Sequence, residues 1–201
     1  MAGAHEHVEH AEHAEHAAHS NKNIALLIAV IALFLAFSET LGKSAQTSAL
    51  NYQIEASNLW NFFQAKNIRR TVTIVAAESA KTNAIVASDP TQKDALAKQI
   101  DNWTKTAERY RSEPEAGGGK GEGTVELSRR AVEEQEKRDT ALARYHHYEI
   151  ASAAFQIGIV LCSAAVITSI MALAFVAGGL ALIGIGFTGI GLFAPHAVHL
   201  F

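Results

Sequence analysis

Apolar residues run unbroken over residues 24–37, a stretch of 14 that extends through Ser38, Glu39, Thr40 and Leu41 to Gly42. Nineteen helical residues cover about 28 Å, close to the ~30 Å hydrocarbon core of a bilayer, so the pattern predicts a transmembrane helix over 24–42. A cleaved signal peptide would begin with a short basic start. Here six histidines, four glutamates and the single cation Lys22 come first, and a retained helix is expected. A second apolar block, residues 150–194, holds no Lys, Arg, Asp or Glu. It is too long for one crossing and suits two, with Gly178-Gly179 as the expected break between segments 150–177 and 178–194. Residues 195–201 are left as a short C-terminal tail.

The hundred or so polar residues between these blocks, 43–149, also read as helix. Residues 44–87 contain no proline or glycine and are expected to continue the first membrane helix. Asp89-Pro90 interrupts at 88–90, because the residue before proline avoids the α region. Asp89 can then cap the next helix, with Pro90 at its first position and Gln92 completing a capping box. Within that helix Leu96, Ile100, Trp103, Ala107 and Tyr110 recur at steps of four, three, four and three, the seam of a helix that wants a partner. The segment 113–123, EPEAGGGKGEG, reads as a flexible connector. Thr124 can cap a third helix that has no breaker before Gly158. The fold class that follows is all-α: an integral membrane protein with about three transmembrane helices and an extramembrane helical hairpin or coiled-coil bundle.

Composition agrees and removes several functions. Apolar residues make up 49% and charged residues 18%, and sixteen of the seventeen Lys and Arg lie between Lys43 and Arg144. A net charge of −3 excludes a strongly basic nucleic-acid binder. The single cysteine, Cys162, excludes an intramolecular disulfide framework. Near the membrane ends Lys43, Arg130, Lys137, Arg138 and Arg144 flank the central domain, against Lys22 alone on the tail side. The positive-inside bias therefore puts the central domain in the cytoplasm and the tail outside, in a multi-pass membrane protein.

The candidate chemistry is sparse. In the His/Glu/Ala-rich tail, residues 1–23, His7, His10, His13, His16 and His19 recur every three residues, each of the last four preceded by a glutamate four positions earlier. Imidazole and carboxylate at that spacing can bind Zn, Ni or Cu weakly. A three-residue step drifts by ~60° per repeat on a helix, so no fixed cage follows and a solvated tail or a pH-responsive one are the other readings. No further cofactor is expected. Tyr145-His146-His147-Tyr148-Glu149 suits an interfacial belt with its histidines toward water. Glu39 is expected to pair with Lys43 one turn on, and Gln156 to bond across helices. Gly184, Gly186 and Gly189 match a dinucleotide fingerprint only formally, since no strand precedes them. With Gly179 and Gly191 they are better read as close-packing positions of membrane helices. No catalytic constellation can be assembled, and a non-enzymatic protein is expected.

The stretches NKNIALLIAVIALFLAFSETLGKSAQT, IEASNLWNFFQAKNIRRT and RDTALARYHHYEIASAAFQIGIVLCSAAVIT resemble the bacterial family known as domain of unknown function 4337. The resemblance covers nearly the whole chain after the tail and implies a small helical membrane protein. It implies no catalytic or binding residue. The leading expectation is a self-associating scaffold or interaction protein, a homo-oligomer in the lipid bilayer with a further protein partner possible. The alternative is an oligomeric ion or metal channel, transporter or accessory subunit with a responsive histidine-rich tail.

Overall fold

The computed structural model describes residues 22–198 in full and residues 2–21 as backbone alone. Its described part is all-α: α1 (Ala2–Val86), α2 (Pro90–Arg111), α3 (Thr124–Thr168) and α4 (Met171–Phe193). Three of these are long and apolar enough to cross a membrane, within Lys22–Val86, Thr124–Thr168 and Met171–Phe193. The chain divides into two compact units, one of Met1–Ala49 with Asp139–Phe201 and the other of Leu50–Arg138.

α1 turns one face inward with a period of 3.5 residues. In the first unit that face is Ile24, Ile31, Ser38, Gly42, Ala45 and Ala49, and in the second Ala56, Leu59, Lys66, Ala77 and Ala80, all buried. Steps of three and four connect them, with half-buried residues filling the missing turns. Such spacing keeps one stripe aligned along a neighbouring helix.

In the first unit the core joins Ile24 and Ile31 of α1 to Ala151, Phe155, Cys162 and Ala165 of α3 and Ala174 and Ala177 of α4. α4 meets α3 through small residues. A Cβ on Gly184 would stand 2.7 Å from the Phe155 ring, and one on Gly191 would stand 2.8 Å from the ring of Tyr148. Two large side chains thus occupy notches that only glycine leaves open. Around Gly179, Gly186 and Gly189 a Cβ would meet nothing within 4 Å, so these three pack against no part of the described chain. The helix break also falls away from its expected place. Gly178 and Gly179 lie inside α4, and the chain turns instead at Ser169, whose φ is 57°. Hydropathy is uniform through this block, so a serine in a left-handed turn leaves no mark in it. The Thr168 hydroxyl helps by accepting the Ile170 amide. α4 therefore has 23 residues, enough to span ~30 Å of hydrocarbon without a re-entrant loop.

In the second unit Asp89 caps α2 by accepting the Thr91 amide at 3.0 Å, with Pro90 at the first helical position. The bond expected back from Gln92 is not made. Leu59, Leu127 and Ala131 form the core, with Trp60 and Phe63 against it. On α2 Ala107 is buried, and Leu96, Ile100, Trp103 and Tyr110 are half-buried while their neighbours on the helix are mostly exposed. That seam is taken up inside the unit.

The glycine-rich connector, residues 113–123, is held at several points. Gly117, Gly118, Gly119 and Gly121 take positive φ, which other residues adopt only with strain. The buried Lys66 ammonium donates to Glu113 Oε2 at 3.1 Å, lies 3.9 Å from Glu122, and rests near the Phe62 and Tyr110 rings. Arg130 donates to the Gly121 carbonyl. Thr124 is the first residue of α3, not its cap, and its hydroxyl donates to the Arg111 carbonyl at the end of α2. Glu126 takes the capping role in the first turn. It accepts from the Ser112 hydroxyl and the Glu113 amide, so one carboxylate serves the end of α2 and the start of α3.

Burial works against ionising Glu126. The hydrogen bonds from Ser112 and from the Glu126, Glu113 and Gly123 amides outweigh it and hold the carboxyl below its ordinary value of 4.5. A depressed folded value stabilises the protein above the ordinary one and is lost as pH falls through it. Glu126→Gln is therefore expected to lower thermal stability at pH 7, and its deficit against wild type should shrink below pH 4.5. A deficit independent of pH in parallel melting curves would refute the carboxylate's role.

Candidate functional site

The polar residues of the first unit gather where the apolar stretches of α1 and α3 end. Ser38 is fully buried on α1 and donates to the Tyr148 carbonyl of α3 at 3.0 Å. One turn on, a Cβ at Gly42 would sit in ordinary contact with Tyr148 Cβ at 3.4 Å. Two small residues thus let the helix backbones approach, and the serine meets the polar demand of that close approach without adding volume.

Beside this contact lies an open groove of about 310 Å³, lined from α1 by Ser38, Glu39, Gly42, Lys43 and Gln46 and from α3 by Tyr145, Tyr148, Glu149 and Ser152. Glu39 does not pair with Lys43. Its Oε1 accepts from Gln156 Nε2 of α3 at 3.2 Å, so Gln156 bonds across helices as expected, and that contact stands in place of the expected surface pair of Glu39. Lys43 is exposed and forms no ion pair among the described residues. Across the groove the Tyr145 hydroxyl lies 3.4 Å from Glu149 Oε1, and His146 Nδ1 lies 3.7 Å from Glu149 Oε2.

The two adjacent histidines diverge. His146 stays at the surface, whereas His147 is buried against α4 with its ring stacked near Phe187. The expectation that both face water fails for His147, because on a helix neighbouring side chains point ~100° apart and α4 covers one of them. A carbonyl oxygen can only accept, so His147 Nε2 donates to Pro195 O at 3.0 Å. Nδ1 is left buried with no hydrogen-bond partner. Tyr148 is likewise buried, and not part of an exposed aromatic belt.

Among the described residues no group of three or more His, Cys, Asp and Glu is placed to hold a metal ion. His7, His10, His13, His16 and His19 lie outside the residues whose side chains are described. Sequence reasoning missed Ser38, Lys66 and His147. Ser38 and Lys66 could have been found by extending the 3.5-residue register of Ile24 and Ile31 along α1, where both land on the inward stripe.

A chain whose described residues are all-α, with three helices long and apolar enough to cross a membrane, belongs to the class of helical proteins with long apolar spans. The match to the family described as Domain of unknown function (DUF4337) covers residues 20–194, and the chain belongs to that family. No curated protein and no solved structure matches it.

If Ser38 acts by its small size, bulk should cost more than loss of its hydroxyl. Ser38→Leu is expected to destabilise the protein by about 1–3 kcal/mol through overpacking. Ser38→Ala should cost only about 0.5–1.5 kcal/mol, the net worth of a hydrogen bond. Thermal melts ranking Ala below Leu would contradict this packing account.

Proposed function

We propose that this protein is a non-enzymatic membrane scaffold whose copies associate through the outer face of α1. The membrane reading is supported by what the apolar helices leave uncovered. Within the most hydrophobic stretches of the three candidate spans, only 17%, 33% and 22% of residues are buried. Leu26, Leu33, Phe37, Val160, Phe175 and Leu182 stand exposed, and an aqueous surface of that kind carries a large hydrophobic cost that lipid removes. The charge bias favours a cytoplasmic central domain and an outer tail in the bacterial inner membrane.

The observation that carries self-association lies in the second unit. Ala65, Ile68, Val72, Val75, Ser79, Thr82 and Val86 are all exposed and recur at steps of three and four on the side of α1 opposite its buried stripe. Ile68 is 64% exposed, Val72 63% and Val75 58%. Valine and isoleucine at seam positions fit a helix partner. The occupant we favour is a second copy, for two reasons. The positions flanking the seam hold few charges, mainly Arg69 and Glu78, so identical faces do not repel. Copies held in one membrane with the same topology also present identical seams to each other at high local concentration. This is a different seam from that of α2, whose residues are engaged within the unit.

The channel or transporter alternative rested on Glu39 and the tail. Glu39 bonds to Gln156 at the end of the apolar run, an arrangement that serves helix packing as well as conduction, and no observation favours transport over it.

Purified full-length protein in nanodiscs is expected to contain more than one copy, and Val75→Asp should convert it to a single copy. In a Cys162→Ala background, Val75→Cys should cross-link between copies far more efficiently than Lys81→Cys outside the seam. Single-copy discs for wild type, or equal cross-linking at both positions, would defeat the proposal. Co-purification of a different protein on an intact seam, with the same loss in Val75→Asp, would assign the face to another partner and defeat the second copy as its occupant.

A further inference from the structure

The groove between the ends of the apolar runs has a composition that selects a ligand. Its α1 wall spans the change from the apolar stretch to the first cation after it, Lys43, and its α3 wall carries Glu149, the last charged residue of the chain. In a membrane protein this level is where headgroups lie, and half-buried tyrosines such as Tyr145 are enriched there. The inference therefore rests on the membrane reading above, but not on self-association.

We propose that the groove holds the headgroup of a zwitterionic phospholipid bearing a primary ammonium, a phosphoethanolamine group. Lys43, the cation of the groove lining, forms no ion pair among the described residues, and its side chain is long enough to reach along the wall toward a phosphate. Two carboxylates stand against this one ammonium. Glu39 has Oε1 occupied by Gln156 and Oε2 left to accept, and Glu149 receives only the long contacts from Tyr145 and His146. With an excess of one negative charge, the groove disfavours a headgroup that is purely anionic. A primary ammonium offers three N–H donors to the carboxylates, which a quaternary ammonium lacks. The acyl chains have apolar surface to follow below the groove, where Ala32, Leu35 and Ala36 on α1 and Ile159 and Val160 on α3 continue its walls at helical spacing and stand half-buried or exposed. A volume of about 310 Å³ suits a headgroup with its glycerol, at the lower end of small-ligand sites.

The test uses full-length protein in nanodiscs of equal parts phosphatidylethanolamine, phosphatidylcholine and phosphatidylglycerol, with retained lipid counted by native mass spectrometry. Phosphatidylethanolamine should be enriched about threefold or more over each of the others, a modest preference of well under the 1.4 kcal/mol that a tenfold ratio represents. Lys43→Ala and Glu149→Gln should each return the ratio to that of the bulk lipid, while Glu78→Gln in the second unit should leave it unchanged. Lys43 and Glu149 are both exposed, so the variants should melt as the wild type does, and a melt shifted in both would be replaced by Glu39→Gln as the readout. Equal retention of the three lipids, preference for phosphatidylglycerol, or enrichment that survives the Lys43 and Glu149 substitutions would overturn the proposal. Displacement of the bound lipid by soluble glycerophosphoethanolamine alone would also overturn it, since the acyl chains would then contribute nothing. Failure of the protein to enter nanodiscs at all would instead defeat the membrane reading.

Discussion

The constraint on which the structure depends is the close approach of α1 to α3 along a stripe repeated every 3.5 residues. Most of the stability of a helix in a folded protein comes from packing an apolar face against a neighbour. In the first unit the stripe turns from large residues, Ile24 and Ile31, to small ones, Ser38, Gly42, Ala45 and Ala49. That change in size lets Tyr148 be covered by α1 on one side while its ring fills the notch at Gly191 on the other. A single bulky residue at Ser38 or Gly191 would therefore disturb two helix contacts and not one. The groove is a consequence of the same geometry, because a small-residue stripe next to long polar side chains leaves space at the boundary.

In the second unit the stripe on α1 meets a polar problem, and the solution differs. The connector after α2 must present its carbonyls and amides to something, and four glycines at positive φ fold it back on itself. Lys66 occupies a stripe position but ends at the connector, where Glu113 and Glu122 meet its charge. A buried lysine without such partners would be strongly unfavourable. Its two nearby aromatic rings shield the stem and face the ammonium, so the lysine acts as both packing and anchor. Glu126 completes the arrangement from α3 by capping its own helix while binding the residues that end α2.

Much of this was legible in the pattern of residues. The three apolar spans follow from run length, the stop at Asp89-Pro90 from the backbone restriction proline imposes, and the inward face of α2 from periodicity, and each of these signals is local in the chain. What escaped depended on contacts distant in sequence or on uniform composition. The turn at Ser169 sits in a block where every neighbour is apolar or small, so neither hydropathy nor a glycine marks it. Gly178-Gly179 looked like a break because glycine weakens a helix, yet each glycine costs only about 1 kcal/mol and the 23 residues of α4 run through both. His147 could not be told from His146 without knowing that α4 returns over one face of α3. The connector's anchor escaped for the same reason: Lys66 lies 47 residues from Glu113.

The two faces of α1 in the second unit suggest how such a chain divides its labour. One face carries bulk and a buried charge and is complete within the protein. The other carries isoleucine and valine at matching spacing and touches no part of the described chain closely enough to be covered. If exposure alone were being minimised, the outer positions would be Glu, Gln or Lys, as they are at Lys81 and Glu78 beside them. Retaining β-branched apolar residues there lowers helix propensity as well as solubility. Two separate costs on one face, with no gain among the described residues, are what the proposed association of copies would offset.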